Sequence, residues 1–345
     1  MIVAVRVLVT GGTGFLGSHA VAAMAGAGHD LRLLVRRPEQ VSVSLGPLGV
    51  EVADIVVGDV LDERVVSRVV EDCDAVVHAA GVFSFDPRRA EEMRRTNARA
   101  TELVVGGAVE RGLDPVVYVS STVALARYGG SGPDLPLGDI GLPYAQSKIA
   151  SERVVRGLQE AGGPVTSVYP GALYGPNDPY RGALSEQLRW ILLGRFPTYP
   201  QGAQHIVDVR DVAALIVAVL QRGGQHRYIV PGHHIGGREL YAAASEAAGR
   251  RLPHVVLPGP VLAPAVGLLD AVQARLPRRW HYPADREGVE VLRRDTRFDD
   301  SAARRELGIV PVPFRQTIMD TVRWLVESGR LPARRAPRLT VEQGA

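Results

Sequence analysis

Tyr144 and Lys148 bracket the stretch Tyr144-Ala-Gln-Ser-Lys148, and their spacing is the first feature of the chain that could do chemistry. On a helix, residues i and i+4 share a face, so a phenol and an ammonium become neighbours. A free tyrosine titrates near pH ~10, and an adjacent cation favours the phenolate and lowers that value. Such a tyrosine can pass a proton to or from a carbonyl oxygen near neutral pH. Upstream, the apolar run Val116–Val119 ends at Ser120-Ser121-Thr122. Hydroxyls at the carboxyl end of a parallel strand point into the crevice where open α/β sheets bind ligands. Of the 40 basic residues, Lys148 is the only lysine and the rest are arginine. An ammonium is a compact charge with rotatable donors where a guanidinium is a flat fork. A solitary lysine placed four residues after a tyrosine therefore reads as functional rather than as a helix-surface pair.

The run Ile2–Val9 leads into Thr10-Gly11-Gly12-Thr13-Gly14-Phe15-Leu16-Gly17, with glycines at 11, 14 and 17. Strand, glycine turn and helix in succession let the backbone approach a pyrophosphate, which then rests on free N–H groups at the helix N-terminus. Gly-x-x-Gly-x-x-Gly is a variant of the dinucleotide fingerprint Gly-x-Gly-x-x-Gly. Alone it is equally a tight strand-to-helix turn. Followed by the tyrosine and lysine, it makes Gly11, Thr13, Gly14, Phe15, Leu16 and Gly17 candidate cofactor-binding residues. The second apolar run ends in Leu33-Leu34-Val35-Arg36-Arg37-Pro38. An acid about 20 residues past the glycines binds the ribose of NAD, whereas an arginine there suits the 2′-phosphate of NADP. Arg36 stands 19 residues past Gly17, and no acid follows it until Glu39. NADP is favoured, with NAD as the alternative.

These residues must be positioned by elements, and the first half of the chain alternates their patterns. Apolar, β-branched runs at Ile2–Val9, Leu31–Val35, Val52–Val57, Ala75–His78, Val116–Val119 and Val165–Tyr169 predict strands. Helical patterns at Phe15–Ala27, Glu63–Glu71, Arg88–Arg111 and Tyr144–Glu160 separate them. The pattern predicts an α/β fold: a Rossmann-type doubly wound parallel sheet covered on both faces. After Tyr169 glycine and proline become frequent, and a smaller, mixed C-terminal substrate lobe is expected. The boundaries read as 1–170 for the nucleotide-binding domain, with returns near 205–232, 171–330 for the interleaved substrate lobe, and 331–345 for a flexible basic tail. Within the second half, Asp211–Arg222, Arg238–Arg250, Ser301–Leu307 and Phe314–Ser328 predict helices and Tyr228–Val230 a strand, while 252–286 is proline-spaced and resists assignment.

Composition excludes several classes. One cysteine, Cys73, allows neither an internal disulfide nor a thiolate zinc site, and no metal is expected. The net charge of +3 comes partly from arginines near the C-terminus, without the basic patch interleaved with aromatics that nucleic-acid binding needs. No apolar run reaches the ~18–20 residues of a membrane span. Val255–Val272 is the most apolar stretch, but prolines and Asp270 interrupt it. The N-terminal run is too short and wrongly flanked for a signal peptide, and a cytoplasmic location is the expectation.

Beyond Thr10–Gly17 and Tyr144–Lys148, further segments run nearly the length of the chain. They are Gly58-Asp59-Val60, Val77-His78-Ala79-Ala80-Gly81, Thr96-Asn97, Tyr118-Val119-Ser120-Ser121, and Tyr169-Pro170-Gly171 continuing to Tyr174-Gly175-Pro176. Near the end, Asp300-Ser301 opens a helix reading Arg-Arg-Glu-Leu-Gly. Together these resemble an extended short-chain dehydrogenase/reductase, of the superfamily that includes sugar-nucleotide epimerases and dehydratases. The resemblance implies that Asp59 and Val60 meet the adenine, that Ala79, Ala80 and Gly81 line the cofactor, and that Pro170 lies near the nicotinamide. It implies that Ser121 orients the substrate, with Ser120 or Thr122 able to share the role, and that Asn97 supports a water relay behind Lys148. It also implies a homodimer paired through Arg88–Arg111 and Tyr144–Glu160.

Dehydratases of that family carry an Asp-Glu pair after the active hydroxyl, where this chain has Thr122-Val123. Sugar-nucleotide enzymes grip the diphosphate with an arginine where this chain has Gln204. The end of the second strand and the Tyr-Pro-Gly segment instead resemble dihydroflavonol-reductase-like and 3β-hydroxysteroid-dehydrogenase-like members. The expectation is NADP(H)-dependent reduction of a carbonyl on a bulky small molecule, or the reverse oxidation, with Tyr144 as general acid or base. Phe83, Phe85, Tyr174, Tyr180 and Trp190 are candidate pocket walls, each equally readable as core packing, and His205 reads as a packed histidine. The alternatives are an epimerase with a tightly held cofactor and a non-catalytic cofactor-sensing regulator, against which the intact Tyr144 and Lys148 argue.

Overall fold

Segments such as Val7-Leu8-Val9 and Val76-Val77 are apolar at successive positions, so as strands they must be covered on both faces. The computed structural model describes residues 4–83, 90–222, 227–273, 275–276, 282–284 and 286–342. Its strands in chain order are β1 (Arg6–Thr10), β2 (Asp30–Val35), β3 (Asp54–Val57), β4 (Ala75–His78), β5 (Val116–Val119) and β6 (Val165–Tyr169). The second half adds β7 (Ala172–Tyr174), β8 (Thr198–Pro200), β9 (Ala203–Asp208), β10 (Arg227–Ile229), β11 (His233–Gly236) and β12 (Val255–Leu257). Seven of them form one sheet in the order β10-β6-β5-β4-β1-β2-β3, every pair parallel.

The pleat divides the core by alternation. Val7, Val9 and Val77 face a cluster that includes Val212 and Leu215 of the helix Val209–Arg222. Leu8 and Val76 face Val66, Val105 and Val155 on the other side. Strand order reverses between β1 and β4, so the connections leave in opposite directions and open a crevice at the carboxyl ends of these strands. Thr10, which lies opposite Leu34 and His78, marks the floor of that crevice.

The smaller lobe is mixed, as expected. β9 runs parallel to β7 and antiparallel to β11, and β8 pairs with β12. Its core gathers Leu188, Leu240, Ile318 and Leu325 from three helices, Ala183–Leu193, Gly237–Ala248 and Phe314–Glu327. β10 and the helix Val209–Arg222 return to the main sheet, so the two lobes are interleaved in sequence.

Several expectations differ from the structure. The long helix expected over 88–111 is Ala90–Thr101, then a wider π-helical turn at Glu102–Gly106, then Gly107–Glu110. The change of pitch coincides with Gly106-Gly107, where the backbone is least committed to α geometry. A short helix at Glu39–Leu45 was not legible in the sequence. Residues 259–273 of the unassigned segment form the helix Gly259–Gln273, which leaves Val261, Leu268 and Val272 exposed. Among the described residues no helix is long and apolar enough to cross a membrane.

Within the flexible tail expected over 331–345, the described residues up to 342 carry regular elements. Ala333–Arg335 form a 3-10 turn and Pro337–Glu342 a helix. Leu331, Ala336 and Leu339 are buried in the second core, because apolar residues recur between the arginines and give the segment a face to bury. Leu339→Ala is expected to lose about 2–3 kcal/mol of stability, in the range for a buried leucine truncation. The measurement is the urea midpoint at unchanged m-value, and an unaltered midpoint would show that this segment does not dock in solution.

Candidate active site

The glycine turn is shaped by steric necessity at two positions. Gly11 has φ +76°, and a Cβ there would stand 2.6 Å from the backbone of Ala79 and Ala80. A Cβ on Gly17 would lie 2.0 Å from the Gly11 carbonyl oxygen, so only glycine lets the helix Phe15–Gly26 pack this close to the turn. At its N-terminus Gly14 offers no side chain to cap the helix, and the first turn, Phe-Leu-Gly, carries no acid. Unsatisfied amides with an uncompensated positive dipole end suit an anion such as a pyrophosphate. The Thr10 hydroxyl bonds His78 Nδ1 at 2.7 Å and accepts from Ala80 N at 3.4 Å, drawing Ala79, Ala80 and Gly81 alongside the turn. Burial and the nearby Lys148 charge lower the His78 pKa to about 3, which keeps this link neutral. Asp59 accepts from Leu61 N at 2.9 Å in the turn beyond β3, with Val60 half-buried beside it. Arg36, at the end of β2, is exposed.

The helix Pro143–Glu160 carries both Tyr144 and Lys148 to the crevice. The Ser121 hydroxyl, at the end of β5, accepts from Val123 N at 3.3 Å and stands in the same cavity wall as the Tyr144 phenol. Thr122 N donates to the Pro170 carbonyl at 2.9 Å, which sets Pro170 against this strand end. Lys148 Nζ donates to the Val119 carbonyl at 3.3 Å. It would lie 3.9 Å from a Cβ on Gly81, beside the cofactor strip. Asn97, the residue the resemblance places behind Lys148, is buried on the neighbouring helix. Its amide pairs with both backbone groups of Val82, at 2.7 and 3.0 Å, and donates to Ser147 Oγ at 3.1 Å. It thereby ties the loop after β4 to the helix that carries Tyr144 and Lys148.

The electrostatics correct one expectation. Burial pushes the Tyr144 phenol up to about 12, Ser121 partly offsets this, and the charge that bears on it is the Glu287 carboxylate. Burial lowers Lys148 itself to about 8, against the pull of Glu152.

Two carboxylates complete the site that the sequence reading did not select. Glu152, with no exposure, takes hydrogen bonds of 2.6 Å from both Ser120 and Tyr169 and pairs with Arg156 at 3.3 Å. Its position one helical turn beyond Lys148 was a signal that could have found it. Glu287 accepts from Tyr144 N at 3.1 Å and from Ala145 N at 2.6 Å. It lies in the helix Arg286–Arg294, just past the proline-spaced segment, and nothing local connects it to Tyr144.

Tyr144 and Ser121 stand in the wall of a cavity of about 640 Å3 between sheet and lobe, lined largely by apolar side chains such as Phe83, Leu142, Phe196, Val291 and Phe298. Phe83 packs edge-on against the Tyr144 ring at 4.8 Å, and Phe85 falls outside the described residues. Tyr174 does not line the cavity, because it is fully buried in the second core. Trp190 packs against Tyr282 and donates to Glu186 at 2.8 Å. Tyr180 is exposed beside Ser44, its hydroxyl 3.5 Å from that of the serine. His205 reaches the cavity wall but is held by the Val230 carbonyl at 2.8 Å.

A parallel sheet that diverges over a glycine turn, with a tyrosine–lysine helix leaning on its serine strand end, defines an NAD(P)-dependent oxidoreductase of the extended short-chain type. The chain belongs to the NAD-dependent epimerase/dehydratase family, whose model matches residues 7–231. Sterol demethylase protein B of Methylococcus capsulatus is 30% identical over 339 residues, spanning 94% of this chain and 99% of its own. A putative dihydroflavonol 4-reductase of Synechocystis is 29% identical, spanning 93% of this chain and 94% of its own. Among solved structures, UDP-glucose 4-epimerase from Bifidobacterium longum, in complex with NAD+ and UDP, superposes with a TM-score of 0.72. It is 20% identical and covers 94% of this chain and 99% of its own.

Two outcomes are expected. Gly17→Ala drives a Cβ into the Gly11 carbonyl and should weaken nicotinamide dinucleotide binding at least about tenfold, a loss of ~1.4 kcal/mol, read by cofactor fluorescence titration. Equal affinity would show that the turn does not hold the cofactor. Because folding lowers the Lys148 pKa from 10.5 to about 8, this group opposes folding in full below pH 8 and not at all above 10.5. Wild type should therefore gain stability relative to Lys148→Met as pH rises through that window, and a constant difference in denaturation midpoint would refute the buried-ammonium account.

Proposed function

We propose that this enzyme reduces a ketone or aldehyde on a bulky, apolar small molecule with NADPH, and oxidises the matching alcohol in reverse. The observation that carries this reading is the Tyr144 phenol beside Ser121 in the wall of a largely apolar cavity of about 640 Å3. That volume is in the range of sites for drug-sized ligands, ~300–1,000 Å3. The relatives are named for a sterol and a dihydroflavonol, both fused-ring molecules, which supports the same substrate class.

When bound, the dihydronicotinamide supplies a hydride to the carbonyl carbon. Tyr144 keeps its proton at neutral pH, since burial and Glu287 raise its pKa to about 12. It can therefore give that proton to the carbonyl oxygen as negative charge builds there. Ser121 donates a second hydrogen bond to the same oxygen and holds the carbonyl in line. Lys148, beside Gly81, would hold the ribose. Its pKa of about 8 suits it to return a proton to the tyrosinate.

A nucleotide-sugar substrate is less well served. Gln204, in place of the expected arginine, donates to the Tyr199 hydroxyl at 3.4 Å. Among the described residues lining the cavity the one arginine is Arg286. For the cofactor, an exposed Arg36 at the end of β2, with no acid beside it, supports NADP over NAD through the 2′-phosphate.

The test is NADPH consumption across a panel of aryl ketones, dihydroflavonols and 3-keto sterols. Tyr144→Phe is expected to lower kcat by about a hundredfold or more, the usual contribution of a positioned proton donor. Equal turnover by wild type and variant would refute the mechanism, and cofactor cycling without net NADPH loss would point to an epimerase. Arg36→Ala should weaken NADPH binding about tenfold, roughly one charge-assisted hydrogen bond, and leave NADH unchanged. Tighter binding of NAD than NADP by wild type would overturn the cofactor assignment.

A further inference from the structure

We propose that Glu287 is a positioning residue for Tyr144: a carboxylate from the substrate lobe supplies the missing N-terminal cap of the catalytic helix. This rests on the reading of Tyr144 as the proton donor. The helix Pro143–Glu160 begins without local help. Leu142 at its N-cap has no acceptor on its side chain, Pro143 has no N–H, and the first turn lacks an acid. The Gln146 amide is satisfied by the Leu142 carbonyl at 2.9 Å. That leaves the amides of Tyr144 and Ala145, and Glu287 takes both, one oxygen on each, at 3.1 and 2.6 Å. A carboxylate bound to two N–H groups at a positive helix end is a charge-assisted cap and stronger than a neutral one.

The cap comes from 142 and 143 residues away. Its helix, Arg286–Arg294, also carries Val289, Val291 and Leu292 into the cavity wall, and Leu292 into the second core. The element that shapes the substrate site thus also holds the backbone of Tyr144. Packing a substrate against Val291 bears on the same helix that fixes the phenol, so the cap links occupation of the pocket to alignment of the proton donor. The titratable groups of the surrounding elements are Lys148 on the same helix, Tyr118 on β5, and Asp178, Tyr199, His205, Asp270, Arg286 and Glu287 in the cavity wall. The Glu287 carboxylate, besides capping the helix, raises the phenol's pKa, so a simple helix cap and a positioning residue predict different things for its ionisation.

Three measurements on the full chain test this. In Glu287→Ala the backbone amides of Tyr144 and Ala145 should exchange hydrogen at least about tenfold faster, the effect of losing ~1.4 kcal/mol of cap. In Glu287→Gln, which keeps an acceptor without the charge, the Tyr144 phenol should titrate about one pH unit lower. The probe is the tyrosinate ultraviolet difference spectrum, each protein read against its own Tyr144→Phe partner. With the panel ketone reduced fastest, kcat of Glu287→Ala should fall about tenfold or more from misplacement of the donor, while KM for NADPH stays within about twofold. Unchanged exchange in Glu287→Ala, an unmoved phenol in Glu287→Gln, or an unchanged kcat each overturns the proposal. The first two readouts need no turnover. An active Tyr144→Phe enzyme would therefore remove the catalytic reading while leaving the linkage between Glu287 and Tyr144 measurable by itself.

Discussion

A carboxylate with no exposure to water, Glu152, joins the catalytic helix to the sheet. Burying an ion of this kind costs several kcal/mol unless its oxygens are well paired. Here Ser120 comes from the end of β5, Tyr169 from the end of β6, and Arg156 from the next turn of the helix. The two strand ends are therefore held to one side chain, and the helix that carries Tyr144 and Lys148 cannot slide along the sheet without breaking a buried pair. Ser121 follows Ser120 directly, so its hydroxyl stands beside the Tyr144 phenol because its neighbour is anchored one helical face away. The polar bonds also supply direction, which apolar packing of Val155 against the sheet does not.

Around this anchor the site is assembled from strand ends. The reversal of strand order between β1 and β4 opens the crevice, and the Thr10–His78 bond at its floor is neutral. Gly11 and Gly17 bring the first helix close enough for its free amides to face an anion. Asn97 then pins the loop that follows Gly81 to the catalytic helix through Val82 and Ser147. Cofactor strip, serine strand end and tyrosine are thus held by a continuous chain of hydrogen bonds. The substrate lobe adds the apolar wall and, through Glu287, the cap that completes the helix.

The parallel sheet and its dinucleotide crevice were legible because the strands are continuous β-branched runs and the glycine spacing sits between a strand and a helix. Tyr144, Lys148 and Ser121 were legible for the same local reason, their spacing and their place at element ends. The break in the helix after Thr101 and the short helix at Glu39–Leu45 were not, since glycines and short polar windows leave local preference undecided. Tyr174 shows the limit for aromatics: sequence places it in a glycine-proline stretch beside the site, yet its ring turns into the second core. The elements of the tail were not legible because its arginines hid the recurrence of Leu331, Ala336 and Leu339, whose burial depends on a partner surface formed by distant helices.

By itself, then, the sequence determined the class of fold, the glycine turn and the tyrosine–lysine–serine set, all of which are written in patterns a few residues long. Tertiary structure alone decided what lines the pocket, where the lysine points and which charge bears on the tyrosine. Those depend on side chains such as Phe83, Val291 and Glu287, which lie far apart in sequence and meet only when the two lobes pack. Burial, not spacing, sets the ionisation of Tyr144 and Lys148, and burial exists only once the chain has closed around them.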